Sequence, residues 1–408
     1  MKSKLIISIF TATLILFSGC GLENDGSTEL SSDTNGELHS QDVNMSEEDE
    51  YLTYELNALV DALLEENEEQ IQNGIFKIVI PSVEYSWDRA WGYADPETKQ
   101  LASDTDQFYA ASIGKMTLAT LTMQFVEKGY LELDDPISLY LEPNIVKNLH
   151  VLNGIDYSDD ITVRHLISHR SGLQDYFEDT DENFNQIPDF QELMIENPSK
   201  IWEPEEVIEY TKTYQPALFA PGSKYHYSDT GFVLMGMVLE AVSETDLTQL
   251  YREFLWEPLD MNDTYLYFRE DPVKSDSNFG FAHAFSLGFN MTKTNMLSAD
   301  WAGGGLITTT SDLYKFMSAW QNDLIFSEKE TKQLQTDYYL DSDYGLGLWS
   351  MVIEGFSGTL IGHEGSTQSF MWYVPEYDAY IIGTLNQTVK DEKINMYTFI
   401  KEALALFE

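Results

Sequence analysis

The sequence predicts an α/β fold whose antiparallel sheet is built from both ends of one domain, with flanking helices and an inserted helical subdomain. Alternating apolar and polar residues over 76–95 predict two strands joined by a turn. Three more strand-like runs lie near 347–354, 358–373 and 378–386. The region 131–325 is mostly helical in pattern, with loops rich in Asp, Asn, Gly and Pro. Because strands lie at both ends with helices between them, one sheet must collect strands from distant parts of the chain.

Helices are also predicted outside that region, over 51–72, 109–129 and about 390–407. The second has small or apolar residues at most positions and ends at Lys128-Gly129, a common signal for a helix C-terminus. Such a helix is expected to be buried. The domain that these elements form spans 51–408, which is large for one core but suits a layered α/β enzyme.

The N-terminal residues 1–19 have the pattern of an export signal. Lys2 and Lys4 precede an apolar run from Leu5 to Phe17, and small residues follow directly before Cys20, the only cysteine of the chain. This arrangement resembles a bacterial lipobox, in which cleavage leaves a lipid-modified N-terminal cysteine. We therefore expect an exported protein, anchored by lipid at the extracytoplasmic face of the cell membrane. An uncleaved signal anchor is the alternative.

An acidic segment, 20–50, follows the signal. It contains ten Asp or Glu, no Lys or Arg and few apolar residues, so it predicts a disordered tether between membrane and domain. The whole chain carries a formal net charge of −46. Nucleic acid is therefore excluded as an expected partner, because its phosphates attract basic proteins. The charge favours a solubilising surface, suited to salty or alkaline surroundings, over an acidic binding patch.

Ser112 and Lys115 lie near the start of the predicted helix 109–129. Residues three apart share one helix face, and an ammonium among apolar neighbours is unfavourable unless it is paired. A serine hydroxyl needs a neighbouring base to become a nucleophile, and a desolvated lysine can supply it. Backbone N–H groups at a helix start also favour a developing anion. The alternative is a lysine whose stem packs while its ammonium reaches water.

Two further stretches change the interpretation. Tyr227-Ser228-Asp229 precedes an apolar helix, and His363-Glu364-Gly365 lies on a predicted strand. Together with Ser-x-x-Lys, in this order, they closely resemble the motifs of the penicillin-recognising serine hydrolases. That superfamily includes class C β-lactamases, D-Ala-D-Ala carboxypeptidases, D-aminopeptidases and related esterases. The stretches WGYAD, TVRHLISHRSGL, APGSKYHYSDTG and AGGGLITTTSDL match it too, so the resemblance covers roughly 55–405 and implies a β-lactamase/transpeptidase-like fold.

The resemblance implies a role for each matching residue. Ser112 is the expected nucleophile, and Lys115 and Tyr227 together take its proton and return one to the leaving group. His363 stands where the family has a lysine and is expected to hydrogen-bond toward Tyr227. The oxyanion hole is expected from the backbone N–H groups of Ser112 and Ser366. No metal or organic cofactor is required.

Other polar patterns favour structural roles. Tyr157-Ser158-Asp159 repeats the three-letter motif but lacks the Pro-Gly loop before it. His165 and His169 have a spacing that could hold a metal, but no Glu or Cys nearby completes a zinc site. The acidic stretch 179–189 lacks the Gly and Glu that an EF-hand needs, so it predicts a solvated loop near the cleft.

Two departures from the family pattern bear on the substrate, for which Asp229, Glu364 and Gly365 are the expected contacts. Glu364 occupies the middle of the third motif, and no Lys or Arg lies between Lys332 and Lys390. A carboxylate facing a substrate carboxylate is repelled, unless Glu364 points to the other side of its strand. Asp229 replaces the usual Asn, and an ionised Asp only accepts hydrogen bonds, so it favours a donor on the substrate.

These departures favour an esterase or an aminopeptidase-like amidase, acting on a small molecule or a peptidoglycan-like substrate. A D-Ala-D-Ala carboxypeptidase or class C-like β-lactamase is the alternative. A hypothesis of a different class is a non-catalytic module for cell-wall binding or signalling. The retention of Ser112, Lys115 and Tyr227 favours an enzyme, because a non-catalytic relative need not keep them.

Overall fold

A computed structural model describes residues 46–65, 67, 70–179, 189–272, 280–286, 288–339, 341–388 and 396–407. The predicted export signal, Cys20, most of the tether and most of the stretch 179–189 lie outside these ranges. Residues Ser46–Glu408 make up one compact unit. No helix among the ranges just given is both long enough and apolar enough to cross a bilayer.

Groups of strands and groups of helices follow one another along the unit. The strands are β1 (Asn73–Ile80), β2 (Tyr85–Asp95), β3 (Gln100–Leu101), β4 (Phe108–Tyr109), β5 (Val151–Leu152), β6 (Ile155–Asp156), β7 (Tyr265–Leu266), β8 (Phe285–Ser286), β9 (Phe289–Asn290), β10 (Leu306–Thr308), β11 (Trp349–Val352), β12 (Thr359–Gly365), β13 (Ser369–Val374), β14 (Ala379–Thr384) and β15 (Gln387–Thr388). The α-helices are α1 (Glu47–Glu65), α2 (Ile113–Glu127), α3 (Pro143–Val146), α4 (Val163–Ile167), α5 (Asp189–Glu196), α6 (Pro204–Tyr214), α7 (Asp229–Ser243), α8 (Leu247–Tyr251), α9 (Trp301–Gly304), α10 (Thr310–Gln321), α11 (Lys329–Gln335) and α12 (Met396–Ala405).

The main sheet has seven strands in the order β11-β12-β13-β14-β1-β2-β3, and neighbouring strands are antiparallel. Its centre joins the two chain ends, since β1 pairs with β14 with Ile78 opposite Ile381. The predicted sheet from both ends is therefore confirmed. The single run predicted at 358–373 is two strands, because a turn that includes Gln368, with φ of 55°, reverses the chain between β12 and β13.

Both faces of the sheet are covered. Phe76 faces one side of the sheet. There it belongs to the same apolar cluster as Leu56 of α1 and Phe399 of α12. Its neighbour Ile75 faces the other side, toward the core that contains α2 and α7. This alternation follows from the two-residue repeat of a strand. Burying each such side chain contributes about 1.5–3 kcal/mol, so two apolar layers hold the sheet between them.

The helices α2 to α11 lie between β3 and β11 in the chain. Helix α2 is buried on all sides from Ile113 to Phe125, as its apolar composition predicts. It begins later than predicted, because Tyr109 pairs with Ile307 in a short sheet and Ala111 has a φ of 50°. A left-handed residue cannot continue a right-handed helix, and Ser112 is therefore the last residue before α2.

Candidate active site

The backbone before α2 is held from two sides. Strand β4 pairs with β10, and Ser369 Oγ donates a hydrogen bond of 2.7 Å to Ala110 O. Strand β12 also approaches closely, since a Cβ on Gly365 would lie 2.8 Å from Ala110 O. Only glycine allows this approach, and Ala111 adopts a left-handed conformation that costs on the order of 1–2 kcal/mol. Ser112 is thus presented by a fixed turn, not by a free helix end.

Lys115 is completely buried and sits directly beside Ser112. Its Nζ donates to Ser112 Oγ at 2.9 Å and to Gly303 O at 2.8 Å. It also forms an ion pair with the Asp229 carboxylate. An ammonium has three N–H donors, and these three acceptors match them. The lysine is therefore paired inside the protein and does not reach water, so the solvent-reaching alternative is wrong.

The glycines of the AGGG stretch let α9 reach this lysine. Gly114 packs against Gly304, and a Cβ on Gly114 would lie 3.0 Å from Gly304 Cα. A Cβ on Gly304 would lie 2.6 Å from the carbonyl of Ala111. Both contacts bring α9 against the start of α2, which places Gly303 O within hydrogen-bond distance of Lys115.

Tyr227 completes the neighbourhood of the serine. Lys115 Nζ lies 5.0 Å from the centroid of its ring, and the His169 ring lies 4.2 Å away on centroids. Burial and the Asp229 carboxylate raise the pKa of Tyr227 well above its usual value. A hydrogen bond with Ser112 lowers this pKa, but by less. Tyr227 is therefore a neutral phenol at physiological pH, which can donate and accept hydrogen bonds at Ser112 and can take up a proton only as it gives up its own.

His363 lies in the wall of the site, but it does not make the predicted hydrogen bond. Its Nδ1 pairs with the Glu364 carbonyl at 2.6 Å, so Nδ1 is the protonated nitrogen, and its Nε2 accepts from the Tyr344 hydroxyl at 3.0 Å. Both nitrogens are thus engaged, and the ring centroid is 6.5 Å from that of Tyr227. Burial and the Lys115 charge lower the pKa of His363 to about 3, so the imidazole is neutral where relatives carry a cation.

A cavity of about 460 Å³ opens at Ser112. Its walls combine aromatic, acidic and small polar residues: Ser112, Phe177, Glu178, Tyr225, Tyr227, Asp229, Asp300, Trp349, His363, Glu364, Gly365, Ser366 and Gln368. The predicted residues therefore gather around one cavity, and Ser366 lies in the same wall as Ser112. Among the described residues that line it there is no Lys or Arg, so this part of the cavity wall is acidic.

Three buried carboxyl groups surround Lys115. Asp229 forms the ion pair, and Asp300 accepts a hydrogen bond from the Tyr109 hydroxyl. Burial and the charge of Asp229 raise the pKa of Asp300 to about 7 and that of Asp175 well above its usual range. One lysine charge cannot balance three buried carboxylates, so the cluster keeps at least one proton near neutral pH.

Glu364 borders the cavity, but its carboxylate is engaged by α12 and is not left unpaired at the substrate as the substrate argument assumed. Strand residues alternate in direction, and His363 and Gly365 face the serine. The Glu364 carboxylate instead accepts a hydrogen bond of 2.5 Å from the hydroxyl of Tyr397 in α12. Burial raises its pKa. The like-charge repulsion assigned to Glu364 stays a prediction, and Glu178, Asp229 and Asp300 also make the cavity wall acidic.

This placement changes the expected result of a substitution at Glu364. Glu364→Gln should leave the ranking of charged and neutral substrates unchanged within about twofold, because the carboxylate is directed toward α12. The measurement is kcat/KM for a peptide with a free carboxylate and for its amide. A shift of the ranking toward the carboxylate substrate, by about tenfold, would return Glu364 to the binding site.

The other candidate residues have structural roles. His165 caps α4, with Nδ1 accepting from the Thr162 N–H at 3.2 Å. His169 accepts from Ser228 N–H at 3.0 Å and supports the ring of Tyr227. Ser158 bonds to the backbone of His150 at 2.9 Å. Within the part of the chain that is described, no group of His, Cys, Asp or Glu is arranged to hold a metal.

Sequence reasoning missed Asp300 and Tyr344. Asp300 is separated from the AGGG stretch by Trp301 alone, and a lone acid between apolar and glycine residues was the available signal for a buried functional carboxyl. Tyr344 precedes β11 without any recognisable motif. Its hydroxyl fixes the His363 ring, a contact that links segments 19 residues apart and that no local pattern announces.

Comparisons with known proteins agree with this geometry. Residues 56–405 match the Beta-lactamase family. Penicillin-binding protein 4* of Bacillus subtilis is 23% identical over 303 residues, which are 71% of this chain and 62% of that protein. Teichoic acid D-alanine hydrolase of Staphylococcus aureus is 24% identical over 251 residues, 61% of this chain and 55% of that protein. The chain thus spans about three-fifths of the length of these relatives.

A solved structure has the same fold. The D-amino acid amidase from Ochrobactrum anthropi SV3, in complex with L-phenylalanine amide, superposes with a TM-score of 0.69 and 21% identity. The match covers 87% of this chain and 98% of that structure. The predicted fold is therefore confirmed over nearly the whole domain.

Proposed function

This chain belongs to the Beta-lactamase family, within the penicillin-recognising serine hydrolases, and we propose that it hydrolyses esters or D-amino-acyl amides at the cell surface through an acyl-enzyme at Ser112. The observation that carries the proposal is the position of Lys115. Its ammonium joins Ser112 Oγ to the Asp229 carboxylate at the floor of an acidic cavity. A nucleophile, a buried proton carrier and a place for the acyl group are thus adjacent.

The reaction follows from these contacts. The substrate carbonyl oxygen lies toward the backbone N–H groups of Ser112 and Ser366, which stabilise the oxyanion of the tetrahedral intermediate. Ser112 Oγ attacks the carbonyl carbon, and its proton passes to Lys115 in its neutral form, or to Tyr227 as the phenol gives up its own proton. The group that took the serine proton, or the phenol that relays it, then delivers one proton to the leaving alcohol or amine. Water attacks the acyl-enzyme in the reverse sense and regenerates the serine.

Lys115 needs a lone pair before it can accept the serine proton. As an ammonium it donates to all three of its acceptors, including Ser112 Oγ. The Asp229 carboxylate is the group in contact that can receive a proton from it. Asn, the usual residue of the family motif at this position, has no such capacity. Tyr227 is the alternative proton carrier, since its hydroxyl also reaches Ser112 and a neutral phenol can take the serine proton while it passes its own to the leaving group.

The acidic cavity supports a substrate without a free carboxylate near the reacting bond. Glu178, Asp229 and Asp300 line it, and no Lys or Arg does so in the part of the chain that the structure describes. The names of two similar proteins fit this class, one a hydrolase of D-alanine from teichoic acid and one an amidase of D-amino acids. A D-Ala-D-Ala carboxypeptidase or a β-lactamase is the second candidate, and the three catalytic motifs support it equally.

A substrate panel tests the proposal. We expect kcat/KM for D-alanine p-nitroanilide and for a p-nitrophenyl ester to exceed that for a D-Ala-D-Ala peptide by about tenfold or more, because like charges repel in the cavity. Intact-protein mass spectrometry after incubation with a penicillin detects the β-lactam alternative as a stable adduct or as turnover. If the free-carboxylate peptide is the best substrate, carboxypeptidase replaces the proposed activity.

The proposed location rests on the sequence pattern before the domain. We expect metabolic labelling with a fatty-acid analogue to tag the wild-type protein and to spare Cys20→Ser, which should leave the membrane fraction. The reason is that the cysteine sulfur is the attachment point of the lipid. A Cys20→Ser variant that stays in the membrane with an uncleaved N-terminus would support the signal-anchor alternative.

A further inference from the structure

We propose that Asp300 determines specificity, because its carboxylate at the cavity wall binds a positively charged amino group on the acyl part of the substrate. This inference rests on the proposed function and makes its substrate class narrower. It selects acyl groups with a free amine, such as D-amino acids, over acyl groups that are neutral at the same position.

The contacts of Asp300 leave its carboxylate without a cation. Asp300 is only 6% exposed, yet it lines the cavity at Ser112. One oxygen accepts from the Tyr109 hydroxyl, and no Lys or Arg pairs with the carboxylate anywhere in the described ranges. Lys115 is directed to Ser112, Gly303 O and Asp229. A substrate cation is the partner that this carboxylate lacks.

The charges around Asp300 favour a cation over a neutral group. The titratable groups that act on it come from several elements, namely Asp229 of α7, Lys115 of α2, Tyr109 of β4 and Glu178 of the loop after α4. The nearby Tyr176 interacts with it as well. Lys115 supplies the single positive charge among them, against up to three carboxylates. A bound ammonium therefore lowers the unfavourable interaction among these acids as well as pairing with Asp300.

The other carboxylates are less suited to this role. Asp229 is occupied by Lys115, and Glu364 is bonded to Tyr397. Asp300 also lies beside the glycines that support the lysine, since a Cβ on Gly304 would be 2.6 Å from its Oδ2. It is thus fixed close to the reacting serine. Because Asp300 and Ser112 line the same cavity, the α-amino group of a short aminoacyl substrate bound at Ser112 has this carboxylate as a candidate partner.

The test compares two substrates that differ only in charge, D-alanine p-nitroanilide and N-acetyl-D-alanine p-nitroanilide. At about pH 7.5 most of the α-amino group is protonated, since its ordinary pKa is about 7.7–8.0. We expect the ratio of their kcat/KM values to favour the free amine in the wild type. Asp300→Asn should reduce this ratio by about tenfold or more, mainly through KM for the charged substrate. Glu402→Gln, an exposed acid on α12, makes the same charge change and should leave the ratio unaltered.

A second arm needs no variant and so does not depend on the folding of Asp300→Asn. Lowering the pH from about 7.5 to about 5.5 keeps the amine charged but protonates Asp300, whose pKa is about 7. The wild-type ratio should therefore fall, and in the variant it should stay flat. A ratio that is independent of pH and unchanged by Asp300→Asn would overturn the inference. Failure of a neutral fluorophosphonate to label Ser112 would instead overturn the proposed function.

Discussion

Replacing Ser112 with alanine is expected to lower kcat by roughly four to six orders of magnitude, the range found when a hydrolase loses its nucleophile. The same change should abolish labelling by a fluorophosphonate. The fold should survive, because Ser112 makes no side-chain hydrogen bond as the N-cap of α2. The bond that it accepts from Lys115 is one of three that the lysine makes. A large loss of activity with little change in melting temperature is therefore the predicted signature.

Peptide mapping after labelling identifies the acylated residue. We expect the probe mass on the peptide that contains Ser112 in the wild type. Ser357→Ala, at an exposed position, is the matched control and should label normally. Labelling on another serine, with turnover that survives Ser112→Ala, would contradict the mechanism.

The strands of the main sheet could be predicted because their patterns are local. The apolar runs of β1 and β14 follow from burial of both faces of these strands, and the alternation at the start of β2 follows from burial of one face. The start of α2 could not be predicted. It depends on the pairing of Tyr109 with Ile307, almost 200 residues away, and on the left-handed Ala111. Such long-range contacts leave no periodic signal in the sequence.

The residues of the candidate site also fall into those that the sequence could predict and those that it could not. Ser112, Lys115 and Tyr227 could be found because each lies in a short motif with a known chemical reason. The direction of Glu364 could not, because it depends on which face of β12 meets α12, and Tyr397 decides it. The role of Asp300 was missed for a similar reason, although its position beside the glycines was a weak signal. Its effect arises only when three acids from separate segments converge on one lysine.

Lys115→Met and Tyr227→Phe are each expected to lower kcat by about two to four orders of magnitude, because both groups handle the proton of Ser112. The double variant should lose little more than the more damaging single one, since groups that act as a unit are not additive. The measurement is kcat with a neutral p-nitrophenyl ester for all four proteins of the cycle. Losses that multiply would show that the lysine and the tyrosine act on separate steps.

The lysine variant needs its own control, because Lys115 also holds a buried charge. Its side chain is completely buried and that of Asp229 is 5% exposed, so removing the ammonium leaves a carboxylate unpaired at a cost of about 3–5 kcal/mol in the free energy of unfolding. Adding Asp229→Asn to Lys115→Met removes that unpaired charge and should restore most of the stability. It should not restore activity. We expect the Lys115→Met, Asp229→Asn protein to melt near the wild-type temperature but to turn over substrate several orders of magnitude more slowly. That result would separate the chemical role of the lysine from its structural role. Recovery of activity together with stability would instead show that Lys115 serves the fold alone.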